Sequence, residues 1–195
     1  MNEPGTDQQD ASDMQLLVEG RDSVLNSLME RHSERLFRYL IRQLQNEDDA
    51  ADIAQEAFVR VYQHRAKFDP RQRFSTWLYT IATNLARDRL KWRSRHPQVS
   101  LNQPVGEGDN IMGDAIPDSK PLPDAVLVSN ERADAVRDVI ATLPEDLRTA
   151  IILSEYQLLS NAEIANVLRC SVKAIESRIY RAKQRLRESL ELEAA

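Results

Sequence analysis

Residues 160–187 read SNAEIANVLRCSVKAIESRIYRAKQRLR, and this stretch decides the fold. Ser160-Asn161-Ala162-Glu163 matches a capping box, in which the serine accepts from an early helix amide and the glutamate reaches back to the cap. Ile164, Ala165 and Leu168 then share one side of a short helix. Arg169-Cys170-Ser171 makes a tight turn, and the spacing beyond it predicts a longer helix from Val172 to about Leu190. Val172, Ile175, Ile179, Leu186 and Leu190 form its apolar stripe, and Lys173, Glu176, Ser177, Arg178, Arg181, Lys183 and Arg185 face the other way. A capped short helix, a short turn and a longer basic helix are the parts of a helix-turn-helix. Its arginines and lysines can neutralise phosphates and read guanine edges. The competing reading is a helical hairpin with a solvated charged face; the cap, the turn and the density of basic residues favour DNA. Cys170, within the turn, reads as a small buried hydrophobe rather than a redox switch.

The helical period extends outward from this unit, and no alternating strand pattern interrupts it, so the fold class is all-α. A helix is predicted from about Arg21 to Gln45, with Leu25, Leu28, Met29, Leu36, Leu40 and Leu44 on one side. A second runs to about Lys67 with Ile53, Ala57 and Val61 in register, until Phe68-Asp69-Pro70 breaks it. A third covers about Ser75 to Ser94 with Trp77, Ile81 and Leu85 predicted inward. Between Pro97 and Pro123 prolines, glycines and acidic residues accumulate without any period, as in a flexible linker. A helix over Val126–Ala141 follows, and Pro144 is placed in the first turn of the next, with Leu147, Ala150 and Ile151 inward. The organisation expected is two small helical domains, 13–96 and 124–192, joined by the linker 97–123 and preceded by a disordered polar lead, 1–12.

The single cysteine forbids a disulfide within the chain and fits a reducing compartment. No apolar run approaches a membrane span, and the acidic start lacks the basic and apolar parts of a signal peptide, so a cytoplasmic protein is expected. The net charge of -5 hides its distribution, because basic residues crowd Arg87–His96 and Lys173–Arg187. Two basic stripes on an acidic chain point to two nucleic-acid contacts and a further basic partner. No nucleophile–base constellation or phosphate-binding glycine loop is present, which argues against an enzyme, a small-molecule substrate or a cofactor. His32, His64 and His96 lack metal-ligand spacing, and no metal is expected.

Three segments resemble the extracytoplasmic-function (ECF) sigma factors, group 4 of the sigma-70 family. They are Asp49-Ala-Ala-Asp-Ile-Ala-Gln-Glu-Ala-Phe58, Phe74-Ser-Thr-Trp-Leu-Tyr-Thr-Ile-Ala-Thr-Asn84, and Leu143-Pro-Glu-Asp-Leu-Arg148 running into the helix-turn-helix. The resemblance implies sigma regions 2 and 4, without regions 1.1 and 3. It implies a protein that binds core RNA polymerase through the β′ clamp helices and the β flap, directs it to promoter DNA, and is held by an anti-sigma factor. Asp49, Asp52, Gln55, Glu56 and Phe58 resemble the polymerase-docking segment. Asp49, Asp52 and Glu56 lie at i, i+3 and i+7, although the residues alone read more simply as a solvated face.

The segment Arg71 to Arg95 resembles the unit that recognises and opens the −10 element. Melted DNA needs a cationic path and a surface for unstacked bases. Arg87, Arg89, Lys91, Arg93 and Arg95 supply the path; Trp92 and the loop Asp69 to Phe74, Arg73 included, supply surfaces. By resemblance Asn84 hydrogen-bonds a flipped base, though it also reads as a satisfied helix amide. Trp77 reads as core. The resemblance places −35 recognition on Ser171, Lys173, Ala174, Glu176, Ser177, Arg178 and Arg181. The sequence departs from the family in two places. Lys173-Ala174-Ile175-Glu176 stands where many members carry Gly-Thr-Val-Arg, so their −35 sequence is not transferable. Leu158-Leu159-Ser160 replaces Gly-Leu-Ser, so the preceding turn is expected to differ. Two rivals remain: a polymerase-independent helix-turn-helix regulator, and a helical protein-interaction module.

Overall fold

The structure, a computed structural model, describes residues 4–96 and 136–193, and no strand occurs among them. The linker 97–123 and the start of the helix expected from Val126 lie outside the described residues.

The first bundle is built from α1 (Pro4–Val18), α2 (Val24–Leu44), α3 (Glu47–Gln63) and α4 (Phe74–Arg95), with a 3-10 turn at Arg65–Lys67. Leu28, Leu36, Leu40 and Leu44 of α2 pack against Ile53, Ala57 and Val61 of α3, all buried as their spacing implies. Gln45 closes α2 in the left-handed conformation, and Asn46 opens α3 by accepting the Asp49 amide at 2.8 Å. Glu47, Asp48 and Asp49 fill the first turn of α3, where the helix dipole favours negative charge.

Two expectations are corrected in this half. Residues 4–12 are not a disordered lead but the body of α1, whose Met14, Leu17 and Asp10 are fully buried. The polar composition conceals this because charge pairing with α2 supplements two apolar anchors. Asp10 takes Arg31 Nε at 2.9 Å and His32 Nε2 at 2.7 Å, and Asp13 also pairs with Arg31. In α4 the deepest row is Phe74, Leu78, Ala82 and Ala86, not Trp77, Ile81 and Leu85, which are only partly buried. The true inward row therefore lies one residue along, roughly 100° around the helix. Trp77 packs over Phe68, ring centroids 5.2 Å apart, as a lid on that core.

The second bundle begins with α5, described over residues 136–142, whose Val139 and Ile140 are buried. Pro144 caps α6 (Glu145–Glu155) rather than standing in its first turn, and Leu147, Ala150 and Ile151 point inward as expected. In α7 (Asn161–Leu168) the capping box is complete: Ser160 Oγ accepts from the Glu163 amide, and Glu163 Oε2 accepts from the Ser160 amide at 2.8 Å. Arg169 ends α7 in the left-handed conformation, and Ser171 Oγ then accepts from the Ala174 amide at 3.2 Å to start α8 (Val172–Glu193). Ile175 and Ala182 are fully buried, and Ile179 and Leu186 pack partly against the core. Val172 is 41% exposed and lies off the stripe.

Before α7 the chain turns at Leu158, with φ 55°. Leu158 thus stands in the left-handed region, which glycine adopts freely and a leucine adopts at a cost of about 1–2 kcal/mol. The two bundles are in contact: α4 lies against α7, and α2 against α6.

Because α1 is anchored by few apolar side chains, Leu17→Ala should lower stability by about 2–5 kcal/mol. A urea unfolding midpoint unchanged by that substitution would restore the disordered reading of the segment.

Candidate nucleic-acid interface

Helix α4 meets both bundles and still shows one edge to solvent. Asn84, Asp88, Lys91, Trp92 and Arg95 are all exposed and recur at i, i+4, i+7, i+8 and i+11, a continuous strip. Trp92 is 49% exposed and stacks on His96 with centroids 4.8 Å apart, which leaves its other face open. Asn84, Lys91 and Trp92 are thus brought together. Phe74 is not with them, being buried in the core.

The remaining arginines expected on the −10 path are engaged within the chain. Arg73 pairs with Asp7 at 2.9 Å and Glu163 at 3.2 Å. Arg87 Nε donates to Glu145 Oε1 at 2.9 Å. Arg89 pairs with Asp49, as does Arg93, and approaches Asp52 at 3.9 Å. In the loop before α4, Asp69 accepts from the Arg71 guanidinium and amide, which together hold its carboxyl down at about 2.

The acidic face of α3 is rotated relative to the i, i+3, i+7 reading. Asp49 is buried, 7% exposed, because its carboxylate anchors Arg89 and Arg93 of α4. Phe58 is buried in the core. The outer face instead carries Asp48, Asp52, Gln55 and Val59, at i, i+4, i+7 and i+11, with Glu56 half-buried beside them. Val59, 45% exposed beside Gln55 and Glu56, and Asp48 were both missed by reading one residue along.

On α8, Lys173, Glu176, Ser177 and Arg181 are exposed on one face, Ala174 is half-buried, and Ser171 stands at the helix start. Arg178 departs from them: its Nε lies 3.4 Å from Asp146 and its Nη1 3.6 Å from the Cys170 sulfur, so it ties α8 to α6. Tyr180, 70% exposed, was missed; it lies three residues from Ser177 and seven from Lys173 on the same face.

Comparison with known proteins matches one family model to each bundle. The Sigma-70 region 2 family model matches residues 28–96, and the Sigma-70, region 4 model matches residues 133–186. The chain is 35% identical over 173 residues to the ECF RNA polymerase sigma factor SigW of Bacillus subtilis, covering 88% of this chain and 91% of that protein. The chain belongs to the ECF sigma factors. It is also 32% identical to the RNA polymerase sigma-H factor of Pseudomonas aeruginosa, over 95% of this chain and 96% of that one. Among solved structures, CnrH in complex with the cytosolic domain of CnrY matches with a TM-score of 0.67 at 24% identity, covering 94% of this chain and 97% of that one. RpoE from Bartonella quintana, in complex with the anti-sigma factor NepR, matches with a TM-score of 0.66 at 24% identity, over 85% and 96%. At that identity these two report the shared fold.

In this sigma factor, Asp49 and Asp52 are separated by role although both are acidic residues of one segment. Asp49→Ala leaves two arginines facing a partly buried void and should cost about 3–5 kcal/mol. Asp52→Ala, at a side chain 69% exposed, should stay within about 0.5 kcal/mol. Thermal unfolding of the two variants side by side checks the assignment.

Proposed function

We propose that this sigma factor divides its work among three surfaces, and that the exposed strip of α4 carries that reading. The strip Asn84, Lys91 and Trp92 takes the melted −10 strand: Trp92 offers a stacking face, Lys91 meets the backbone, and the Asn84 amide both donates to and accepts from a base edge. Lys173, Glu176, Ser177 and Arg181, with Tyr180, take the −35 duplex in the major groove. Glu176 accepts from a cytosine amine and repels phosphate, which supports a −35 sequence particular to this chain.

The acidic outer face of α3 docks the β′ clamp helices. Asp48, Asp52 and Glu56 provide the charge and Val59 an apolar contact at its end, an arrangement suited to a basic helical partner. The second bundle meets the β flap. Arg73, Arg87 and Arg89 join the DNA path only when their carboxylate partners are released. The factor acts on polymerase and catalyses nothing itself, in the cytoplasm. An anti-sigma factor is proposed on the family resemblance alone.

Transcription in vitro with purified core polymerase and a genomic DNA library tests the reading: specific start sites should emerge. A polymerase-independent regulator would instead bind duplex DNA alone and direct no starts. Asp52→Lys should weaken core binding about tenfold or more with the fold intact, since reversing one charge of a complementary pair costs at least about 1.4 kcal/mol; co-purification with core at the wild-type level would remove α3 from the docking surface. Asn84→Ala should slow promoter opening by about tenfold, the loss of one good base contact, while leaving duplex binding near normal. Permanganate reactivity of −10 thymines reads this directly, and wild-type reactivity would reject the role.

A further inference from the structure

A cleft of about 570 Å³ opens between α2 and the end of α6, a volume within the range of small-molecule sites. Arg35, Arg38 and Arg42 line one wall, and Tyr156 and Gln157 line the other. Arg73 and Ser75, at the start of α4, line it as well. No aspartate or glutamate is among its lining residues. The carboxylates that pair with Arg38 and Arg73, namely Glu34, Asp7 and Glu163, stand outside the wall. Arg42 lies 4.2 Å above the Tyr156 ring, held by an aromatic face rather than an acid. Like charges gathered around one recess raise its potential and draw anions into it.

Spacing sets the length of the anion. Arg35, Arg38 and Arg42 recur at i, i+3 and i+7, so they share one face of α2 and span about 10 Å along its axis. A single phosphate cannot meet both ends of that row, whereas a chain of phosphates can. The remaining lining groups offer uncharged donors. Gln157 uses Oε1 to accept from the Tyr79 hydroxyl, which leaves its Nε2 to donate. The Ser75 side chain, 6% exposed, lines the cleft without a hydrogen-bond partner among the described residues. Ser75 stands in the first turn of α4, which holds no acidic residue and receives no side-chain cap from Arg73. The early amides of α4 and its dipole therefore add to the positive potential of the arginines. The strip assigned to DNA lies elsewhere, because Asn84 and Trp92 are about 14 and 26 Å further along α4 than Ser75.

We propose that this cleft binds a linear oligophosphate, such as the phosphate chain of a nucleoside triphosphate: Arg35, Arg38 and Arg42 meet the phosphates, and Ser75 and Gln157 fix their register. A guanidinium pairs with a phosphate through two parallel, charge-assisted hydrogen bonds, which a lysine cannot reproduce. The Tyr156 ring, 40% exposed, offers an apolar surface to a nucleoside where the anion carries one. The site adds to the three surfaces proposed above and does not rest on them.

Calorimetric titration of the full chain with inorganic tripolyphosphate, and in a second arm with ATP, tests the site. Each probe should bind one to one with a Kd below about 1 mM. Each should also raise the Tm, as a ligand of the folded state does. Equal affinities support recognition of the phosphate chain alone, and tighter ATP binding supports an added nucleoside contact. The double variant Arg35→Ala, Arg38→Ala should weaken both probes about tenfold or more. Arg38→Gln alone, at a side chain 58% exposed, should shift them in the same direction by less. The control pair Arg21→Ala, Arg60→Ala removes as much charge from exposed positions outside the cleft and should leave each Kd within about twofold. Circular dichroism verifies that the variants keep their helix content. The absence of saturable binding overturns the site, as does binding that survives the loss of Arg35 and Arg38. An equal loss in the control pair, or orthophosphate binding as tightly as tripolyphosphate, overturns it too. A single-stranded oligonucleotide that displaces tripolyphosphate at a lower concentration than ATP would assign these arginines to nucleic acid instead.

Discussion

Helix α4 is buried on two sides and must still present a charged edge, and the rest of the molecule is arranged around that demand. A helix so placed carries hydroxyls and guanidinium groups into regions where water cannot solvate them, so each needs a protein partner. The Tyr39 hydroxyl and Thr83 Oγ1 satisfy one another at 2.7 Å inside the first bundle, and burial pushes the Tyr39 phenol up to about 12. Thr80 returns its hydrogen to the Thr76 carbonyl at 2.8 Å. Asp49, turned inward from α3, gathers Arg89 and Arg93 and so fixes the rotation of α4 about its axis. That rotation leaves Asn84, Lys91 and Trp92 outside. The edge proposed to read DNA is thus set by an acid turned into the bundle.

The same constraint explains what sequence alone could and could not tell. Helices with one wet and one dry side were legible: α2 and α3 bury the leucines, isoleucine and alanine that their spacing marks. The capping box at Ser160 and Glu163 was legible because it is local chemistry. Helix α4 was found but misrotated, because a helix covered on two faces has apolar residues at 74, 77, 78, 81, 82, 85 and 86 and no single stripe to read. Asp49 and Phe58 were misplaced for a related reason: family resemblance marks a segment, whereas packing decides which of its residues face out. Helix α1 escaped notice because half of its anchoring is ionic, through Asp10 and Asp13, and polar sequence gives no sign of a partner 21 residues away.

Local rules also broke where tertiary packing overrode them. Leu158 occupies a left-handed position that a glycine would fill without strain. Its side chain is 62% exposed and lines the cleft between the bundles with Leu159 and Tyr156. Glu163 is another residue under two demands. Burial pushes its carboxyl up, but the hydrogen bonds from Ser160 and the charge of Arg73 outweigh that, and it titrates below the usual carboxylate range. A depressed folded value means the contribution of Glu163 is present above the unfolded value and fades as pH falls through the folded one. One acid thus ties helix capping in the second bundle to contact with the first.

The contact between the bundles is polar, and its hydrogen bonding is uneven. Thr149 is fully satisfied, accepting from Gln43 and donating to the Glu145 carbonyl at 2.7 Å. Gln43 is not: its Oε1 is buried without a partner, at a cost of about 1–3 kcal/mol that disappears when water can reach it. A cleft of about 570 Å³ opens between the bundles, with Arg35, Arg38 and Arg42 on one wall and Tyr156 and Gln157 on the other. A sealed interface would fill such a volume with side chains at the density of a protein interior. Arg73, which pairs with Glu163 at 3.2 Å, lines the cleft, and solvent access there limits that pair to a modest contribution. An interface with an orphaned acceptor and an open cleft stands between a domain core and a transient complex.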